Sequence, residues 1–203
     1  MRVVRAKVID LPAARPSSAH VFLIDTNVWF WTTYTRASGS NGPAPYQVRE
    51  YPRFLSRARN AKAALRYTPE TFAELAHLIE KCEYQLHCVA TGGRLKMKDF
   101  RNDPALRPGV VKEVQLAHAT MTALAQCIPS IRDGALVDAA LAELSQHQID
   151  AYDAFAVMSA RSERVTAIVT DDGDYATCAG VRVLTANART LGDARTAGNL
   201  EPL

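Results

Sequence analysis

Val165-Thr166-Ala167-Ile168-Val169-Thr170-Asp171-Asp172-Gly173-Asp174-Tyr175 is the stretch from which the fold class is read. Ala167-Ile168-Val169 is short, apolar and partly β-branched, and turn residues bound it, so it reads as a buried strand. It gives way at Thr170 to three aspartates, Asp171, Asp172 and Asp174, with Gly173 among them to let the backbone turn tightly. Carboxylates just past the C-terminal end of a core strand stand where open α/β sheets bind ligands. Clustered like charges repel, and a divalent Mg²⁺ or Mn²⁺ suits an all-oxygen site that must be neutralised. The same residues taken alone also read as a solvated acidic turn, and the rest of the chain decides between the two.

Outward from this stretch, two further segments carry an acid in a similar setting. Val21-Phe22-Leu23-Ile24 is a continuous apolar run, the mark of a central parallel strand covered on both faces. It stops at Asp25, after which Thr26 or Asn27 can cap a helix; as a cap alone, Asp25 would be unremarkable. Before the opening stretch, Asp150 is placed to cap a helix through Tyr152, Asp153, Ala154, Phe155 and Ala156. Asp153, near the start of that otherwise apolar helix, is favoured by the macrodipole and faces the end of a sheet. Thr68-Pro69-Glu70-Thr71 looks like a helix start, with Thr68 as N-cap and Pro69 at the first helical position. Phe72, Leu75, Leu78 and Ile79 form the apolar stripe of that helix, and Glu74 lies one turn from Glu70.

The remaining segments frame these acids. Residues 1–18 form an extension, with an edge strand expected from Val3-Val4 to Val8-Ile9. Ser38 to Pro45 reads as a loop or mobile flap. Tyr46 to Leu65 reads as a basic helix in which Arg49, Arg53 and Arg57 are candidates for guiding RNA phosphates, with Tyr46, Tyr51 and Phe54 as stacking groups. A very short strand is expected at Arg66-Tyr67-Thr68. Gly92-Gly93 breaks the next helix, Arg94 to Arg107 reads as irregular, and Pro108 opens a helix expected to run to Cys127. Residues from about 91 to 127 thus read as a helical insertion in a domain covering 19–190. Ile128 to Ile131 is a candidate short strand, weakened by Pro129. Ala135 to His147 is expected to turn Leu136, Val137, Leu141 and Leu144 inward. Val181 to Leu184 is one more strand, and residues 191–203 read as a polar tail. His77, Cys82, His87 and Cys88 match neither of the usual zinc-ligand spacings.

Composition sets the bounds. A chain of 203 residues, 48% hydrophobic and 22% charged, suits one globular domain. A net charge of +3 is compatible with nucleic acid without indicating it. Four cysteines show no paired framework, Arg2, Arg5 and Lys7 interrupt any secretory apolar region, and no run reaches the length of a membrane span. Reduced thiols in a cytoplasm are the expectation.

Strands alternating with helices predict an α/β fold with a central parallel sheet, and right-handed crossovers bring Asp25, Asp153 and the Asp171–Asp174 cluster to one edge. Carboxylates converging without matching lysines are destabilising unless metal ions neutralise them. Such a constellation is equipped for phosphodiester hydrolysis. No Walker lysine, Gly-x-Gly-x-x-Gly or Ser-His-Asp order competes.

Four motifs in order carry a resemblance. Leu23-Ile24-Asp25-Thr26-Asn27-Val28 resembles the opening strand motif of the PIN-domain nucleases, the family that includes the VapC toxins of bacterial toxin–antitoxin pairs. Thr71-Phe72-Ala73-Glu74-Leu75 resembles the segment with the family's glutamate, and Tyr152-Asp153-Ala154-Phe155-Ala156 its third acidic motif. Ile168 to Tyr175 resembles its Thr-x-Asp-x-Asp pattern, with Asp172 as the fourth acid, Asp174 auxiliary and Asp171 in the variable position. The resemblance implies a three-layer α/β/α sandwich, Mg²⁺- or Mn²⁺-dependent cleavage of single-stranded RNA, frequent homodimers and an antitoxin partner. In that reading Asp25, Asp153 and Asp172 hold the metal, Glu74 binds or positions it, and Asp174 supports a second ion. Asn27 and Thr170 orient ligands or the phosphate. The segment between Glu74 and Asp153 is longer than in the compact toxins, and residues 1–18 are additional. The alternative from another class is a non-catalytic PIN-like module that binds RNA or protein; its usual sign, a missing acid, is not present here.

Overall fold

A strand apolar at every position must be covered on both faces, and β2 (Val21–Ile24) shows how. Its Phe22 and Ile24 enter one core with Val28, Trp29, Phe54 and Leu75, while Leu23 enters another with Val157, Ile168, Tyr175 and Val183. This is the period-two alternation of a strand between two helical layers. The computed structural model describes residues 3–37, 42–93, 95–129 and 134–203. Among them, β1 (Lys7–Asp10), β2, β3 (Ala64–Tyr67), β4 (Gln126–Cys127), β5 (Ala167–Val169), β6 (Arg182–Thr185) and β7 (Leu200–Glu201) form one sheet. The spatial order is β4-β3-β2-β5-β6-β1-β7, with every neighbouring pair parallel. Helices α1 (Thr26–Thr33), α2 (Pro45–Asn60), α3 (Pro69–Thr91) and α5 (Arg107–Leu124) supply the first layer, together with the short α4 (Met97–Asn102). Helix α7 (Ala151–Ser162), with α6 (Gly134–Gln146) against it, and α8 (Ala188–Thr196) supply the second. The protein is therefore a three-layer α/β/α sandwich on a parallel sheet.

The chain order matters for the site. From β2 the chain moves outward to β3 and β4, then returns to place β5 on the other side of β2 and continues to β6. The direction of winding thus reverses between β2 and β5. At such a switch point the two connections diverge above the strand ends and leave a crevice.

Several local expectations hold because they depend on residues three or four apart. Thr68 caps α3 with Pro69 at its start, and Gly92 ends it in the left-handed conformation at φ 62°. Asp150 caps α7. Other expectations are corrected. The strand in residues 1–11 is not at the edge: β1 lies between β6 and β7, with Val8 fully buried. The expected polar tail contributes the end of α8 and the edge strand β7. Helix α2 ends at Asn60, and Lys62 turns the chain at φ 60°, so Leu65 belongs to β3. The segment expected to be irregular contains α4, although Arg94 lies outside the described residues. Helix α5 stops at Leu124 and the next strand comes earlier than Ile128, at Gln126–Cys127. Ser130 and Ile131 of that expected strand, and residues 38–41 of the expected loop, lie outside the described residues. Helix α6 buries Ala140, whereas Val137 and Leu141 are 59% and 63% exposed and Leu144 is exposed as well. Its periodicity predicted a helix, but α6 packs on α7 and buries Ala140, leaving those three residues at the outer side of that contact. Among the described residues, no helix is long and apolar enough to cross a membrane.

Candidate active site: an acidic mouth at the switch point

Asp25 is the first residue beyond β2, and its extended backbone makes it the N-cap of α1. One carboxylate oxygen accepts from the Thr26 backbone N–H at 2.8 Å and the other from the Thr170 hydroxyl at 2.7 Å. Thr170, the first residue beyond β5, accepts from the Asp172 N–H at 2.9 Å through the same hydroxyl oxygen. Asp172 in turn accepts from the Asp174 N–H at 2.8 Å. One threonine hydroxyl therefore joins the ends of β2 and β5 and sets the turn that presents Asp172. From the helical layer, Glu74 accepts from the Thr26 hydroxyl at 2.5 Å. From the opposite layer, Asp153 and Asp150 cap each other's backbone N–H groups at 3.0 and 3.3 Å, and the buried Tyr175 hydroxyl bonds to Asp153.

These carboxylates feel one another. Burial pushes Asp25 up to about 8, with the charges of Asp153 and Glu74 adding to the rise and the Thr170 hydrogen bond opposing it. Burial pushes Asp153 up to about 7, opposed by Tyr175 and raised further by Asp150 and Asp172. Glu74 is raised as well, first by burial and then by Asp150 and Asp172, with Thr26 and His77 pulling the other way. A cavity of ≈ 10 Å³ lies among Asp25, Thr26, Glu70, Glu74, Tyr152 and Tyr175, close to the room one water occupies. The donor set of carboxylates and hydroxyls is that of a hard divalent cation. Among the described residues, however, no group of three or more His, Cys, Asp or Glu side chains is arranged to hold a metal ion. Asp25, Glu74 and Asp153 are each turned to their own hydrogen-bond donors.

The remaining predicted site residues divide by position. Asp174 opens the 3₁₀ turn Asp174–Thr177, and Asn27 lies partly exposed in the first turn of α1. Arg49 and Arg53 share Glu50 at 2.5 and 3.9 Å. Arg57 donates to the backbone carbonyls of Leu11 and Pro12 at 2.8 and 3.0 Å, which pins the segment after β1. Of the three expected stacking aromatics, Tyr51 and Phe54 are fully buried and offer no face to a base. Asp171 turns away from the mouth. It is 8% exposed and accepts from Tyr46 (2.8 Å), Gln47 (2.6 Å) and Tyr51 (2.6 Å), which locks the start of α2 onto the end of β5. The contributions of Thr26, Tyr175 and Asp150 to the mouth went unassigned in the sequence. Thr26 and Tyr175 each neighbour a predicted acid or lie within its motif, which is the only signal for them.

The raised acids set a pH dependence. Below about pH 4 the folded and unfolded chains both hold these protons, and no difference arises. As pH rises, the unfolded chain releases protons that Asp25 retains to about 8 and Asp153 to about 7. Each group then lowers stability by up to about 1.4 kcal/mol per pH unit until its folded pKa is passed. In EDTA, denaturant titrations should therefore show a steeper loss of stability from pH 5 to 8 for wild type than for a variant carrying Asp25→Asn and Asp153→Asn. Equal pH slopes would mean that the two acids are not held protonated by the fold.

No protein-family model matches this chain, and no curated protein matches it.

Proposed function

We propose that this chain is a divalent-metal-dependent endoribonuclease of the PIN-domain type, cleaving single-stranded RNA. The observation that carries the reading is the gathering of Asp25, Glu74, Asp153 and Asp172, from four separate chain segments, at the sheet's switch point, where burial first, and neighbouring carboxylates second, raise Asp25, Glu74 and Asp153. Asp25, Asp153 and Asp172 would hold a Mg²⁺ or Mn²⁺ ion once their carboxylates turn toward it, with Glu74 beside it and Asp174 in support. The bound ion supplies a water activated at neutral pH and offsets phosphate charge. Thr170 keeps Asp25 and the Asp172 turn in register, Thr26 orients Glu74, and Tyr175 holds Asp153 at the helix start.

The test is cleavage of mixed single-stranded RNA and DNA with Mn²⁺, Mg²⁺ or EDTA, wild type beside Asp172→Asn. RNA cleavage that needs the ion and falls roughly 100-fold or more in the variant is expected. Full activity in the variant, or no cleavage by folded protein with either ion, would sink the proposal. The second reading, a non-catalytic RNA- or protein-binding module, is favoured by the absence, among the described residues, of a side-chain arrangement ready for a metal. RNA binding without cleavage under every ion condition would establish it.

A homodimer, an antitoxin protein and a cytoplasmic setting for the four free cysteines belong to the same proposal. Sedimentation of the chain, alone and co-expressed with the adjacent reading frame, tests the first two. A monomer in both cases would remove them.

A further inference from the structure

Helix α3 presents two different surfaces. At about 100° per residue, Glu70 and Glu74 fall on the side toward the mouth. Phe72, Ala76 and Glu80 fall on the far side, toward α5, and His77 lies between the two sets. The far side borders a groove of ≈ 490 Å³ between α3 and α5, within the size range of small-ligand sites. Val110, Val111 and Val114 of α5 give it an apolar wall. Phe72 stands at its rim, 38% exposed, and meets the His118 ring edge-on, with centroids 5.0 Å apart at 69°. An edge-to-face pair covers at most one face of the Phe72 ring, and the exposed remainder is free for stacking.

The groove also carries charge. Glu80, 7% exposed, accepts from Arg101 Nε and Nη2 at 2.9 and 2.5 Å and from Arg107 Nη1 at 2.6 Å. Hydrogen bonds and charge from these guanidiniums, Arg101 foremost, hold the Glu80 carboxyl below its usual range. Two cations answer one anion, so the cluster has a net positive charge. Each guanidinium has five N–H donors, of which Glu80 takes two from Arg101 and one from Arg107. Both side chains are 46% exposed and can turn the remaining donors to the groove.

We propose that this groove is a nucleotide subsite, holding one base against Phe72 and the valine wall and its phosphate on Arg101 and Arg107. The proposal rests on the ribonuclease reading for its substrate, single-stranded RNA. An open aromatic face, an apolar wall and forked guanidiniums are together the chemistry of a nucleotide. An acidic peptide would use the arginines but leave Phe72 and the wall uncovered. Continuity with the mouth comes through His77, which borders the groove and lies three residues, about one turn, along α3 from Glu74. A strand seated in the groove can therefore run on toward the acids.

The experiment is fluorescence anisotropy of a fluorescein-labelled, mixed-sequence octaribonucleotide in EDTA, where binding is read apart from cleavage. Phe72→Ala is expected to weaken binding about tenfold. Arg107→Gln, with Arg101 left to hold Glu80, is expected to lower the slope of log K against log salt by about 0.7. Gln115→Glu, an exposed change on the same groove, keeps the test valid if Arg107→Gln fails to fold, and is expected to weaken binding several-fold. Wild-type affinity in both Phe72→Ala and Gln115→Glu, no binding of the RNA by wild type, or equal displacement by a hexaglutamate peptide would each overturn the subsite. The two proposals fail separately. Binding lost in these variants from a wild type that never cleaves RNA leaves the subsite and removes the nuclease. Cleavage by wild type with binding untouched in the variants does the reverse.

Discussion

Asp25→Asn is expected to abolish cleavage and, in EDTA at pH 8.5, to raise the melting temperature. The first effect follows from the loss of a metal-facing carboxylate, which costs roughly 100-fold or more in activity. The second follows from the fold. Asp25 is pushed up to about 8 mainly by burial, so at pH 8.5 the folded chain must carry a charge that its surroundings oppose. Asparagine removes that charge; its amide oxygen still accepts from the Thr26 N–H, and its NH2 donates to the Thr170 hydroxyl oxygen in place of accepting from it. Residual solvent at this half-buried site cuts the gain to about 2 kcal/mol, or about 4–8 °C in Tm for a chain of this size. Saturating Mn²⁺ should reverse the order, because binding stabilises wild type in proportion to the logarithm of free ion over its dissociation constant. Thermal melts of both proteins with EDTA and with Mn²⁺ read the effect. A variant less stable than wild type in EDTA would make Asp25 a helix cap and nothing more.

Tyr51→Phe should act in the opposite direction. The Tyr51 hydroxyl is fully buried and donates to Asp171 at 2.6 Å, while accepting from the Ala186 N–H at 3.0 Å. It also lies 3.0 Å from the Thr170 carbonyl oxygen and 3.1 Å from the Thr185 hydroxyl, so it binds the ends of β5 and β6 to α2. Phenylalanine fills the same space but leaves a buried carboxylate short of one donor and a backbone N–H without its acceptor. The cost is about 3 kcal/mol, or about 6–12 °C in Tm. Activity should fall with it, since Asp171 and Asp172 share one turn. Tyr46→Phe removes a donor from the same carboxylate at a partly exposed position and should cost about 1 kcal/mol. Equal melting temperatures for wild type and Tyr51→Phe would show that the network relaxes without loss.

The contrast between the two tyrosines also marks how far the sequence reaches. Both stood out beside basic residues as groups for stacking RNA. Their partner Asp171 lies more than a hundred positions away, and nothing local announces it. Neighbouring aspartates show the same limit. Asp171 and Asp172 are adjacent in an acidic run, yet one is sealed by α2 and the other is presented by the Thr170 turn. Nothing in the sequence singles out Glu80; only Arg101 and Arg107, brought back by α4 and α5, make it the base of a charged groove.

By itself the sequence determined the α/β class, the buried strands at Val21–Ile24 and Ala167–Val169, the caps at Thr68 and Asp150, and the stop at Gly92. It also marked Asp25, Glu74, Asp153 and Asp172 as acids placed at element ends. These features rest on apolar runs and on hydrogen bonds between residues at most four apart, which a linear reading can see. The tertiary structure alone decided that β1 lies inside the sheet, that α6 turns its apolar stripe outward, that Asp171 serves α2, and that a groove opens behind Glu74. Each of these depends on which surfaces meet after distant segments pack. That choice is made by the shape and burial of the whole core, for which no short stretch of chain carries the information.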